Sequence, residues 1–229
     1  MKKLVVLTGA GMSAESGIKT FRDSGGLWEE YDVMTVASID GWHRNPQLVL
    51  KFYNERRAQL KTALPNEGHL LLAALQEFYD VHIITQNVDD LHERAGSRQV
   101  LHLHGELKKV QSTRDAALVY DIGYKEIHWG DNCEKGYQLR PSIVWFGEAV
   151  PAFEEAVQIT AGADAFAVIG TSLNVYPAAG LVDYVPEGVK IFVIDPNDVP
   201  APRGGHVVVI REIASVGTAM LSDKLQDLF

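Results

Sequence analysis

Short aliphatic runs punctuate this chain, and they limit its architecture more than any other feature. They are Leu4–Leu7, Val81–Ile84, Val100–Leu103, Ile143–Trp145, Ala165–Ile169, Ile191–Ile194 and Val207–Ile210. Runs so short and so apolar suit strands buried on both faces. Helical patterns fall between most of them. Pro46–Leu60 is amphipathic, Asn66–Phe78 carries apolar residues at helical spacing, and Asp89–Ala95 stops at Gly96. Pro151–Ala161 has proline in its first turn and Gly162 at its end. Alternating strand and helix predicts an α/β fold, a mostly parallel sheet with helices on both faces. Two stretches break the rhythm. Residues 25–64 hold helix but no convincing strand, and residues 106–140 are polar, charged and rich in tyrosine. Both are expected to form a smaller inserted lobe, leaving 1–24, 65–105 and 141–229 as the sheet domain. Pockets favour such interfaces.

Charge and cysteine usage narrow the function. The net charge is −9 with no basic block, which argues against a nucleic-acid surface. No apolar run approaches the ~20 residues that span a bilayer, so no membrane partner is expected. Cys133 is the single cysteine, so no internal disulfide can form, as suits a reducing compartment. The opening MKKLVVLTGAG has two lysines before a short apolar run and then a glycine loop, a buried first strand rather than a secretory core. A cytoplasmic location is expected.

The loop LTGAGMSAESG follows the first strand. Gly9 and Gly11 allow a tight turn and close backbone approach, with free amides facing a phosphate. Such a loop is also an ordinary strand-to-helix turn, and a lone Gly-x-Gly decides little. A hydride-transfer enzyme would place an acid about 20 residues on, at the end of a second strand. Here GIKTFRDSGGLWEEYD stands instead, and it reads as a flap hinged at Gly25-Gly26. Gln86, Asn87 and Asp89 follow another strand, where open α/β sheets bind ligands. Helix capping would explain one of them. In VLHLHGEL, His102 and His104 share a strand face as metal ligands, core residues or a base, and His104 at the strand end is the stronger candidate. Gly170, Thr171, Ser172, Asp195 and Asn197 end two further strands with groups suited to phosphate or ribose. Tyr53 and Arg56 stand three apart on one helix face, either solvated or lining a pocket.

The motifs GAGMSAESGIKTFR, TQNVDDLHERAG, HLHGEL, LRPSIVWFGE and GTSLNVYPA, in this order, make the chain resemble the sirtuin family of NAD-dependent protein lysine deacylases. The resemblance implies a Rossmann-like NAD domain with a smaller lobe, and acyl-lysine proteins or peptides as substrates. It implies that Gly9, Ala10 and Gly11 cradle the pyrophosphate, with Ser13, Glu15, Thr20 and Gln86 beside them. Phe21 and Arg22 would lie in the cofactor flap, and Ile18, Asn87 and Asp89 would line the nicotinamide pocket. His104 would be the base. Gly170, Thr171, Ser172, Asp195, Pro196 and Asn197 would hold the adenosine half, and Ala214 would sit near the adenine. The substrate would add as an extended strand, pairing near Gly147–Glu148 and Leu173–Val175, with Val144, Phe146 and Asn174 in contact.

Two departures sharpen the expectation. Sirtuins normally hold zinc with two Cys-x-x-Cys pairs, but residues 106–140 offer only Cys133, and a lone thiolate makes no tetrahedral site. No zinc is expected. An aromatic group of Tyr120, Tyr124, Trp129 and Tyr137 would hold the lobe instead. Tyr53-x-x-Arg56 matches a subclass that prefers succinyl and malonyl groups, whereas Glu55 and Arg57 read as exposed helix face. The expected reaction is therefore NAD-dependent deacylation with release of nicotinamide and O-acyl-ADP-ribose, including succinyl and malonyl removal. ADP-ribosyl transfer, removal of other acyl groups such as lipoyl, and a non-catalytic NAD-sensing module are the alternatives.

Overall fold

A computed structural model describes residues 1–18, 31–199 and 206–228. Strands β1 (Lys3–Thr8), β2 (Asp80–Thr85), β3 (Val100–His102), β7 (Ala165–Ile169), β8 (Lys190–Ile194) and β9 (Val207–Ile210) form a six-stranded sheet in the order β3-β2-β1-β7-β8-β9. Every pairing in it is parallel. The alternation of side chains explains why the runs are apolar throughout. Leu4 and Val6 pack on one face with Leu72, Phe192 and Leu221, while Val5 and Leu7 pack on the other with Phe166, Ala156 and Leu181. The two faces are covered by the helices Glu67–Ala74 and Ala214–Gln226 on one side and Phe153–Ala161 on the other.

The smaller lobe combines the helices Val33–Val36, Ile39–Arg44 and Pro46–Thr62 with an antiparallel sheet of β5 (Val119–Asp121), β4 (Gly105–Ser112) and β6 (Leu139–Ile143). The run Ile143–Trp145 is thus no strand of the large sheet. It continues β6, which lies in the small one. β4 is mostly half-exposed and polar, and its two buried apolar residues, Leu107 and Val110, stand three apart across a shift of register, which hid it within a polar segment.

The long helix Pro46–Thr62 anchors this lobe through residues read as surface. Arg57 is fully buried: its Nε donates to Leu107 O at 2.6 Å and a terminal nitrogen to Asn54 Oδ1 at 2.7 Å. Asn54 in turn brackets Ile127, donating to its carbonyl at 2.9 Å and accepting from its amide at 3.1 Å. Burial brings the Arg57 guanidinium down to about 10. The expected aromatic group is corrected as well. Trp129 and Tyr137 are 56% and 42% exposed, and only Tyr120 and Tyr124 pack on the lobe's core. Around Cys133 the turns are tied by polar contacts instead. Its thiol lies 3.4 Å from Ser112 Oγ, and Lys135 reaches Asp115 at 2.6 Å. Among the described residues no three His, Cys, Asp or Glu side chains are grouped to hold a metal ion, and no helix is long and apolar enough to cross a membrane.

Candidate functional site

The loops after β1 and β7 meet backbone to backbone. Gly9 N donates to Ile169 O at 3.0 Å and Gly11 N to Gly170 O at 2.8 Å. A Cβ on Gly9 would stand 2.6 Å from Thr171 Cβ, and one on Gly170, at φ +63°, would stand 2.3 Å from Met12 N. The glycines therefore answer to this loop-against-loop contact. The expectation that their amides face an anion is corrected, because these amides are spent, as are Met12 N on Gly9 O and Ser13 N on Ala10 O. Two 3-10 turns, Ala10–Met12 and Ala14–Ser16, carry the chain onward. Thr20, Phe21, Arg22 and the Gly25-Gly26 hinge lie outside the described residues.

A closed corner forms where this loop meets the end of β2. Asn87 Nδ2 donates to Gly9 O at 3.0 Å and to Ser13 Oγ at 3.1 Å, and Ser13 donates onward to Asp89 Oδ2 at 2.9 Å. Ser13, Asn87 and Asp89 are all buried. Burial pushes the Asp89 carboxyl up, against the pull of its bonds from Leu91 N and Ser13. Among the described residues none donates to Asn87 Oδ1, so it is available as an acceptor. Gln86 Nε2 ties to Thr171 Oγ1 at 3.0 Å. Ile18 packs partly buried against the smaller lobe's core.

The two histidines part company. His102 is held by Glu93 at 2.7 Å and by Asn87 O at 3.1 Å. Burial pulls its pKa down, but the Glu93 contact outweighs that and leaves it raised. His104 Nδ1 meets Gln86 O at 3.1 Å. A carbonyl only accepts, so Nδ1 carries the proton and Nε2 is bare. Burial lowers its pKa and keeps the ring neutral near pH 7, the form that acts as a base.

The remaining expected cofactor residues lie along the same edge. Ser172 follows Thr171 after β7, and Asp195, Pro196 and Asn197 follow β8. Asp195 Oδ1 accepts from Asn197 N at 2.9 Å and Nδ2 at 3.1 Å, a local turn. Glu15 holds Ser215 N at 2.9 Å and Ser215 Oγ at 2.6 Å, fixing the start of the helix that opens with buried Ala214. Its side chain is thus engaged with that helix.

At the substrate end, Val144 N donates to His104 O at 3.0 Å. Phe146 is 45% exposed, while its backbone bonds Ala37 and Ile39 across the lobes. At the expected pairing edge, Gly147–Glu148, one amide and one side chain are already engaged. Glu148 N donates to Trp145 O, and the Glu148 carboxylate holds Arg140 at 2.6 and 2.8 Å and accepts Trp145 N at 2.9 Å. Leu173 sits at φ +54°, and Asn174 and Val175 are exposed. Tyr53 is buried, and burial pushes its hydroxyl up to about 12. Arg56 lies partly buried over the Phe52 ring at 5.7 Å, lowered by burial but favoured by the fields of Tyr53 and Asp89. A cleft of about 490 Å³ opens on another face of the long helix, lined by Gln47, Lys51, Glu55, Glu126 and Trp129 among others, and contains none of the expected site residues.

The model of the family described as "Sir2 family" matches residues 9–177. The chain belongs to the Sir2 family. It is 55% identical over 230 residues to an NAD-dependent protein deacylase of Bacteroides thetaiotaomicron, covering 98% of each chain. It is 53% identical over 228 residues to one of Helicobacter pylori, covering 100% of this chain and 99% of that one. A crystal structure of a Sir2 homolog–NAD complex superposes with TM-score 0.89 at 39% identity, covering 99% of this chain and 90% of that chain.

Behind Asn87 in this sirtuin stand buried polar residues that the sequence did not single out. Asn87 N donates to Thr85 Oγ1 at 3.0 Å, Thr8 Oγ1 donates to Thr85 Oγ1 at 2.8 Å, and His92 Nε2 lies 3.1 Å from Thr8 Oγ1. With its proton given to Thr85, Thr8 accepts from His92, so His92 Nδ1 is the bare nitrogen. His69 Nδ1 accepts from Asn66 N at 3.3 Å, so His69 Nε2 bears the proton. The rings stand 4.8 Å apart between centroids, and these two complementary atoms are both buried without a partner. Burial holds His69 down at about 4 and His92 well below its ordinary value, so both are neutral. A histidine inside a helical segment carries no mark of such a chain.

Proposed function

We infer that the protein is an NAD-dependent protein lysine deacylase. The observation that carries this is His104, fixed as the Nδ1–H tautomer with Nε2 bare by the carbonyl of Gln86, the residue that precedes Asn87 of the buried Asn87–Ser13–Asp89 corner. The residues fit the cofactor. Asn87 Oδ1 is an unspent acceptor suited to a carboxamide, and the glycine contact leaves the loops without side chains to obstruct a dinucleotide. Bound NAD supplies an electrophilic ribose carbon, nicotinamide as leaving group, and a ribose that takes up the acyl group. Asn87 and Asp89 hold the carboxamide, and Ser13 keeps them in place. His104 Nε2 takes the proton from a ribose hydroxyl. Such a base contributes about 100- to 10,000-fold.

The acyl group proposed is succinyl or malonyl as well as acetyl, with Tyr53 and Arg56 at the distal carboxylate. A guanidinium matches a carboxylate in shape and charge, and a phenol adds a second donor. The peptide would lie extended between the lobes, with the exposed main chain at Asn174–Val175 as its partner. The small lobe is proposed to fold without zinc. The test is kcat/KM on matched succinyl-, malonyl-, acetyl- and lipoyl-lysine peptides, with product analysis. O-acyl-ADP-ribose with an acidic acyl preference supports the assignment, whereas ADP-ribosyl protein as the main product would replace it with transferase activity.

A further inference from the structure

Trp145 takes no part in the chemistry above, yet its indole Nε1–H donates to the Tyr53 oxygen at 2.9 Å inside the core. A phenolic proton lies in the ring plane, on one side of the oxygen or the other. An indole N–H can only donate, so it occupies one lone-pair direction and sends the Tyr53 proton to the opposite side. Tyr53 is 3% exposed, and among the described residues no acceptor takes that proton. Buried donors are rarely left so. The indole itself has no freedom to turn. The Arg140 guanidinium stacks on it with Cζ 3.6 Å from the ring centroid, and Arg140 is fixed by both Glu148 oxygens and by Ile143 O at 2.8 Å. Trp42 packs against the indole at 5.4 Å.

We propose that Trp145 determines acyl specificity as a positioning residue: by occupying the Tyr53 oxygen, it fixes that hydroxyl as a donor for the distal carboxylate of an acidic acyl chain. Had the core offered Tyr53 an acceptor instead, the hydroxyl would present a lone pair to the pocket and repel a carboxylate. Arg56, three residues on, supplies the charge, and Trp145 supplies the polarity of the second contact. This rests on the proposal that the site takes succinyl or malonyl groups.

The experiment compares the succinyl-to-acetyl ratio of kcat/KM in wild type, Trp145→Phe, Tyr53→Phe and the double variant. A ratio cancels any general loss from loosened packing. Trp145→Phe is expected to lower the ratio about tenfold, and Tyr53→Phe about 10- to 100-fold, the range for a hydrogen bond to a charged group. In the Tyr53→Phe background, Trp145→Phe should change it less than about twofold, because the two act as one unit. A ratio unchanged in Trp145→Phe, or lowered equally in both backgrounds, overturns the role of Trp145 while the acidic-acyl assignment stands. A wild type without succinyl preference overturns both. Should Trp145→Phe fail to fold, the wild-type indole resonances decide. The Trp145 N–H signal should shift on binding succinyl-lysine peptide and not acetyl-lysine peptide, since donation by Tyr53 makes its oxygen a stronger acceptor. No difference between the peptides overturns the proposal.

Discussion

At the corner around Asn87, the side chains of Asn87, Ser13 and Asp89 bond to one another and to the glycine loop, whereas at the proposed acyl corner Tyr53 accepts one bond and, among the described residues, gives its own proton to none. The first corner is complete in all but one acceptor before any ligand arrives. The second is rigid in its aromatic packing and open in its polar chemistry. Under the proposed function, a step common to all substrates would belong at the first corner, where geometry is settled in advance, and discrimination among acyl groups at the second, where an unmatched ligand would leave polar groups unpaired.

The strongest way to test this division is His104→Ala. Deacylation of every acyl peptide should fall by about 100- to 10,000-fold, with NAD affinity by titration near the wild-type value. A loss confined to succinyl peptides would erase the distinction between the corners. Arg56→Met should act the opposite way, removing about 2–5 kcal/mol of succinyl recognition and collapsing the succinyl preference in kcat/KM. The neighbouring change Arg57→Met should cost about 1–3 kcal/mol of stability, since Leu107 O and Asn54 Oδ1 each lose a donor. Urea denaturation would show it, with the acyl preference intact.

Acid should loosen the first corner. An unfolded imidazole titrates near 6.5, but His69 is held at about 4 and His92 well below its ordinary value. Between those values the unfolded chain binds more protons, so stability is full above about 6.5 and is lost as pH falls toward 4. The slope is at most about 1.4 kcal/mol per pH unit for each imidazole. Melting between pH 7 and 5 should reveal it, and His69→Gln should flatten it. The smallest expected effect is none at all: a chelator should leave Tm unchanged, and purified protein should hold well under about one zinc per chain, since one thiolate makes no four-ligand site. Stoichiometric zinc would show a set of ligands that the contacts around Cys133 do not reveal.

The parallel sheet was legible because burial on both faces demands apolar residues at every position, and Leu4–Leu7 and Ala165–Ile169 meet that demand. Asn87, Asp89 and His104 stood out as candidates because polar groups at strand ends have few structural uses. Arg57 was not, since a cation beside a surface glutamate reads as solvated until Leu107 O and Asn54 are folded against it. The purpose of Gly9 and Gly11 was half legible. Sequence announces a backbone without side chains, but not that Gly170 is what comes close. Sequence offered Glu148 only as substrate edge, and its contact with Arg140 beside the Trp145 ring adds a second task, framing that ring.

The long helix carries the proposed acyl reader and the lobe anchor interleaved, Tyr53 and Arg56 with Asn54 and Arg57 each one step behind. One step is about 100° of rotation. A single inserted residue upstream of Tyr53 would carry Tyr53 and Arg56 to where Asn54 and Arg57 now point, and would turn Asn54 and Arg57 the same ~100° past Ile127 and Leu107, so one change disturbs both pairs at once.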